Sequence, residues 1–183
     1  MDWYSIVKFL HVLAAIVWLG GGFAMILIAV RAERSGDDEA LILNLRNTAA
    51  LGNILFMPAS LATLVFGLLM AFLWTGFSDL WIIIGLAGAA ATFVTGAGFI
   101  KPASDRIAAL VAREGVTPAV LAEGRRLLDI AKFDYAVMLV IIADMVFKPG
   151  PSDYAVLGAM AAALVLAAVL FLLPRRQTGI VAV

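Results

Sequence analysis

The chain has 183 residues, 64% of them apolar and 14% charged, with a formal net charge of zero and a mean hydropathy of +1.05. A soluble domain is roughly 45–50% apolar and about 25% charged, so this composition excludes an ordinary water-soluble globule, and the balanced charge offers nothing to attract nucleic acid. The absence of cysteine excludes disulfides, iron–sulfur clusters, thiolate zinc sites and covalent C-x-x-C-H haem attachment.

Apolar runs of about 18 residues or more read as membrane spans, and the pattern predicts an all-α integral membrane bundle of about five, in one domain over residues 1–183. The first span is Tyr4–Val30. It is not a cleaved leader, because Asp2 balances its lysine, its apolar stretch is too long and arginines follow it. In "RSGDDEALILNLRN", Ser35 precedes Asp38 by three residues, a capping pattern, and Leu41, Leu43 and Leu45 follow among polar positions. The second span is Ala49–Trp74, where Pro58 predicts a kink and Asn53 and Ser60 can satisfy the freed backbone groups. The third, Asp79–Ile100, is glycine-rich (Gly85, Gly88, Gly96, Gly98). Over Lys101–Lys132 a helical hairpin is predicted. Ser104 caps a helix ending at Gly115, and Thr117 with Pro118 opens a second helix that nothing breaks before Pro149. That helix therefore continues into the fourth span, Phe133–Phe147. The fifth, Tyr154–Leu173, is alanine-rich with Gly158 and Ala162, a small-residue face suited to bundle packing or a homodimer contact.

Lysine and arginine set the orientation. With the N-terminus outside, the inner segments hold Arg31, Arg34, Arg46, Lys101, Arg106, Arg113, Arg125, Arg126, Lys132, Arg175 and Arg176, and the outer side keeps only Lys8 and Lys148. Positive residues are retained in the cytoplasm, so the expectation is N-out, C-in, with the hairpin between spans three and four cytoplasmic. Trp3, Tyr4, Trp74, Trp81 and Tyr154 fall at the outer ends, as an aromatic belt does.

Few residues can carry chemistry. His11 is the only histidine, and helical spacing puts His11, Ala15, Trp18 and Gly22 on one face. Imidazole ligates haem iron, copper and zinc, and the small residues would let a flat macrocycle or another helix approach. The alternative is a histidine hydrogen-bonded across the bundle, with the glycines serving helix packing. Asp144 is expected at a similar depth. It can hydrogen-bond the second ring nitrogen of a ligating His11, or reach the interface and pair with Lys148. Met70 and Met145 map to the same depth and can offer thioether ligands to haem iron or copper(I), or fill gaps in the core. The sequence holds no P-loop, H-E-x-x-H, Ser–His–Asp set or dinucleotide fingerprint.

The segment "LHVLAAIVWLGGGF" resembles the opening helix of small bacterial membrane proteins of the copper-resistance D (CopD) and HemJ type, and most nearly a related group of uncharacterised predicted integral membrane proteins. The shared pattern is an early histidine, Trp-x-Gly-Gly and an arginine at the inner end, here His11, Trp18, Gly20, Gly21 and Arg31. The resemblance is specific over Tyr4–Arg34 and implies a multi-pass protein of the bacterial inner membrane. HemJ-type proteins are protoporphyrinogen oxidases in which this histidine is implicated in binding b-type haem, and CopD-type proteins are associated with copper. Where the HemJ type has a lysine early in the third span this chain reads "DLWIIIGLAG", so what carries over is histidine-ligated haem rather than oxidase activity.

Two readings stand. One is a b-type haem protein with a redox or electron-transfer role, His11 being an axial ligand and a symmetry-related His11, Met70, Met145 or nothing completing the iron. The other is a non-catalytic membrane subunit or copper-handling protein, with His11 structural or part of a His/Met metal site. The sequence names neither a substrate nor a redox partner.

Overall fold

The computed structural model describes residues 2–173 as five long helices joined by short turns. They are α1 (Trp3–Ser35), α2 (Asp38–Thr75), α3 (Leu80–Glu114), α4 (Pro118–Phe147) and α5 (Tyr154–Phe171). Helices α1, α2, α3 and α5 are long and apolar enough to cross a membrane. In α4 the apolar portion is shorter and interrupted by Asp134 and Asp144. Arg175 and Arg176, used above for orientation, lie outside the described residues.

The helices start and stop for local reasons. Asp2 caps α1 by accepting from Tyr4 N–H, and Gly36 ends it at φ 68°, a left-handed conformation glycine adopts without a Cβ penalty. Thr117 accepts from Val120 N–H at 3.3 Å and Pro118 occupies the first turn of α4, as predicted. Two predicted caps are corrected. Asp37, not Ser35, caps α2, accepting from Ala40 N–H at 2.9 Å, while Ser35 turns back to the Ala32 carbonyl. Ser104 caps nothing. It is buried inside α3, which passes through it without a break.

Prolines explain why α2 and α3 are continuous where the sequence suggested interruptions. A proline in a helix lacks its N–H and crowds the carbonyl four residues earlier. Here a single π turn precedes each one, Gly52–Phe56 before Pro58 and Gly96–Ile100 before Pro102. The wider turn absorbs the clash without ending the helix. Asn53 is exposed and does not satisfy the backbone there, whereas Ser60 donates to the Met57 carbonyl. A third π turn, Ala71–Thr75, closes α2 before Gly76.

Length has an architectural consequence. At about 1.5 Å per residue, the 38 residues of α2 and 35 of α3 extend roughly 57 and 52 Å, well beyond a hydrocarbon core of about 30 Å. The projecting parts of α1, α2, α3 and α4 pack on one another around Ala29, Leu41, Ile42, Leu45, Ile107, Val120, Leu127 and Leu128. Arg106–Glu123, Arg125–Asp38 and Lys132–Glu33 ion pairs lie around this core. Elsewhere the bundle is apolar outward. Phe9, Ile16, Phe72, Val94, Leu139 and Val165 are exposed, as lipid-facing side chains are.

Within the spans, α1 lies along α2, α3 along α4, and α5 chiefly along α4. The glycine-rich face of α3 serves α4: a Cβ on Gly88 would be 2.6 Å from Ile141 Cγ1. A Cβ on Gly96, Gly98 or Gly158 would meet nothing within 4 Å, and with Gly158 and Ala162 both exposed the predicted packing face of α5 is uncovered among the described residues. At the end of the bundle holding the start of α1, Tyr4 and Trp74 meet edge to face at 5.4 Å.

Candidate functional site

The face of α1 singled out from the sequence turns inward. His11, Ala15 and Trp18 line a cavity of about 720 Å³, to which α2 adds Thr63, Gly67 and Met70, α3 adds Gly85, and α4 adds Met138 and Met145. Its walls are almost wholly apolar. Lys8 and Lys148 stand at its edge, each held over an aromatic ring, Tyr4 at 5.2 Å and Trp81 at 5.0 Å.

His11 is half-buried and fixed by one contact. Its Nδ1 lies 2.8 Å from the Thr63 carbonyl oxygen. A carbonyl only accepts, so Nδ1 carries the hydrogen and Nε2 keeps its lone pair. Nε2 makes no hydrogen bond among the described residues. A histidine that donates one ring N–H to a carbonyl has the tautomer and orientation that a metal-ligating imidazole needs. The ring fits there because residue 67 is glycine: a Cβ would be 3.1 Å from His11 Cε1 and 3.3 Å from Nδ1.

The two methionines converge on the same space from α2 and α4. Met145 lies across Gly85, where a Cβ would fall 1.9 Å from its terminal methyl. Among the described residues there is no cluster of three or more His, Cys, Asp or Glu, so any metal here would be held by imidazole and thioether, or brought by a macrocycle.

Two expected members are placed elsewhere. Gly22 lines a different cavity, where a Cβ would lie 3.9 Å from the Tyr135 ring. Asp144 is fully buried, with both carboxylate oxygens unpartnered, and lies against Gly85 rather than on the imidazole. The partner expected of it on His11 is the Thr63 carbonyl instead. Nor does its carboxylate pair with Lys148, whose contact with it is a backbone one, Lys148 N–H to the Asp144 carbonyl at 2.8 Å. Thr63 and Gly67 were missed by sequence reasoning. Their spacing of four, with Met70 three further on, was the available signal of a shared face.

The family model of predicted integral membrane proteins, DUF2269, matches residues 5–149, which takes in nearly all of α1 and the whole of α2, α3 and α4. The chain belongs to the DUF2269 family. No curated protein and no solved structure matches it. As a member it is an integral membrane protein, and its bundle is read as lipid-embedded.

This DUF2269 bundle has a second cavity, of about 170 Å³, beyond Trp18 and Met138, which line both. Tyr135 closes the space between α4 and α1, donating to the Leu19 carbonyl at 3.2 Å and stacking on Phe23. Asp134 and Asn44, each 5% exposed, line this second cavity. Sequence reasoning passed over both. The available signal was a carboxylate in the first turn of the predicted fourth span.

Proposed function

We propose that this DUF2269 protein binds a non-covalent b-type haem in the histidine cavity, with His11 Nε2 as axial ligand. The observation that carries the reading is the His11–Thr63 hydrogen bond, because it commits one ring nitrogen to the backbone and leaves the other for iron. Supporting it are the apolar walls, which suit a porphyrin face, and Lys8 and Lys148 at the edge, where cations would meet propionates. Ala15 and Gly67 keep the walls beside the imidazole low, and Trp18 offers a flat surface. Bound there, haem would supply one-electron transfer at the membrane, while Met70 and Met145 are the side chains able to offer a second ligand. In this reading the HemJ-like first helix, a bacterial inner-membrane location and an N-out, C-in orientation go together.

Copper(I) is the second reading, favoured by one specific feature: His11, Met70 and Met145 border the same cavity, and imidazole with thioethers suits that soft ion. Detergent-purified protein from haem-replete cells separates the two. The haem reading expects a Soret band with about one haem per chain, lost in His11→Ala. Colourless protein that takes up one copper(I), and loses it in Met70→Leu or Met145→Leu, would replace haem by copper.

A further inference from the structure

The second cavity is mostly apolar, and several of its few polar side chains can offer it only acceptors. Thr48, Ser60 and Thr92 line it, and each has already given its hydroxyl hydrogen to its own helix, to the Asn44, Met57 and Ala89 carbonyls at 2.9, 3.0 and 3.1 Å. What these hydroxyls can present to the cavity is lone pairs. Asn44 directs its amide nitrogen to Met25 sulfur at 3.8 Å, and its Oδ1 receives no hydrogen bond among the described residues. Two of the potential donors are committed elsewhere. Tyr135 donates to Leu19, and the Lys101 ammonium is held by Asp105 while its stem crosses Gly52. Ser104 is the one lining hydroxyl with no partner.

Into this space comes Asp134, 95% buried and without a hydrogen bond or ion pair among the described residues. Its oxygens differ from those of Asp144 in not being sealed among protein atoms, so they open to the cavity it lines. A carboxylate removed from water needs a counter-charge or donors, and among the described residues none is bonded to Asp134. The Asn44, Thr48, Ser60 and Thr92 oxygens on the same walls are further acceptors. Such a cavity is complementary to a ligand that carries positive charge and no lone pairs.

We propose that the aspartate cavity binds one small monovalent cation, an alkali ion or a primary ammonium, with Asp134 as counter-charge and the Asn44, Thr48, Ser60 and Thr92 oxygens completing its surroundings. Divalent ions are the poorer match, since Mg²⁺ and Ca²⁺ sites gather several carboxylates and waters and this cavity has one uncommitted carboxylate. A volume of about 170 Å³ leaves space for a water beside the ion. Both π turns next to prolines border the cavity, through Gly52 and Phe56 on α2 and through Gly96, Ala97 and Ile100 on α3. Helical irregularities of this kind recur at functional sites.

The test is the thermal midpoint of the full chain in nanodiscs, at constant ionic strength, as sodium, potassium, ammonium or methylammonium chloride replaces N-methylglucamine chloride. A saturable rise with at least one of these cations is expected, and which of them acts tells an alkali ion from an ammonium. Asp134→Asn, nearly isosteric and uncharged, is expected to abolish it, and Asn44→Leu to weaken the apparent affinity roughly tenfold. If Asp134→Asn fails to fold, equilibrium binding of radiolabelled sodium or methylammonium to wild type and Asn44→Leu decides, with the same tenfold loss expected. Equal midpoints in all five salts, or a cation response unchanged in either variant, would overturn the proposal.

Discussion

His11 Nδ1 and the Thr63 carbonyl, 52 residues apart in sequence and 2.8 Å apart in space, form the hydrogen bond that joins α1 to α2 at the histidine cavity. It answers why an imidazole belongs in an apolar helix. The ring has a backbone acceptor waiting on the neighbouring helix, and a glycine one turn along that gives it space.

Replacing His11 separates its structural part from its chemical one. His11→Ala removes a hydrogen bond worth about 1 kcal/mol along with ring packing, so the protein is expected to insert and fold with a modestly lower thermal midpoint. The same variant is expected to lose the Soret band completely. A band of undiminished intensity in His11→Ala would eliminate this residue as the ligand.

Gly67 sets the position of the ring. A methyl group there would lie 3.1 Å from His11 Cε1, forcing a shift of a few tenths of an ångström. Gly67→Ala is expected to move the Soret maximum while keeping the haem, and Gly67→Val to cost about 1–3 kcal/mol by overpacking and to deplete it. Absorption spectra alongside denaturation curves give both readings.

Gly85 and Gly88 face α4 but are expected to respond differently. At Gly88 a Cβ meets the branched Ile141 side chain at 2.6 Å, with little freedom to yield, so Gly88→Ala is expected to destabilise by about 1–3 kcal/mol. At Gly85 it meets the flexible end of Met145, which can swing aside. Gly85→Ala should therefore cost less, while altering metal or haem spectra only if the Met145 sulfur is a ligand. Equal losses of stability in the two variants would show that Met145 is as confined as Ile141.

The two predicted hairpin caps also part company. Thr117→Ala is expected to cost about 1 kcal/mol, the usual worth of a helix N-cap. Ser104→Ala, inside a continuous helix, is expected to be neutral or slightly stabilising because alanine is the better helix former. Thermal midpoints of the two variants check this directly.

Topology is testable without a structure. A reporter fused after Val183 is expected to be cytoplasmic and one fused ahead of Trp3 external, from the lysine and arginine asymmetry. Both reporters on one side would mean an even number of crossings and would remove α4 or α5 from the list of spans.

The sequence by itself determined what depends on local chemistry. Apolar runs of sufficient length made the helices, Thr117–Pro118 began α4 and Gly115 ended α3, and nothing between Pro118 and Phe147 interrupted the helix. It also brought His11, Ala15 and Trp18 onto one face, because helical periodicity is a property of a single segment. Only the tertiary structure decided what faces that surface. Thr63 and Gly67 are ordinary residues of an apolar helix until α2 lies against α1, and Asp144 looked equivalent to any carboxylate at that depth until α3 covered it. The continuity of α2 and α3 through Pro58 and Pro102 was likewise settled in three dimensions. A proline can end, kink or widen a helix, and packing of the projecting halves around Leu41 and Ile107 favours the widened turn that keeps each helix whole. Asp134 shows the same limit most clearly: its type and depth were legible, but the cavity it lines exists only where α2 and α3 bring the Asn44, Thr48, Ser60 and Thr92 oxygens up to α4.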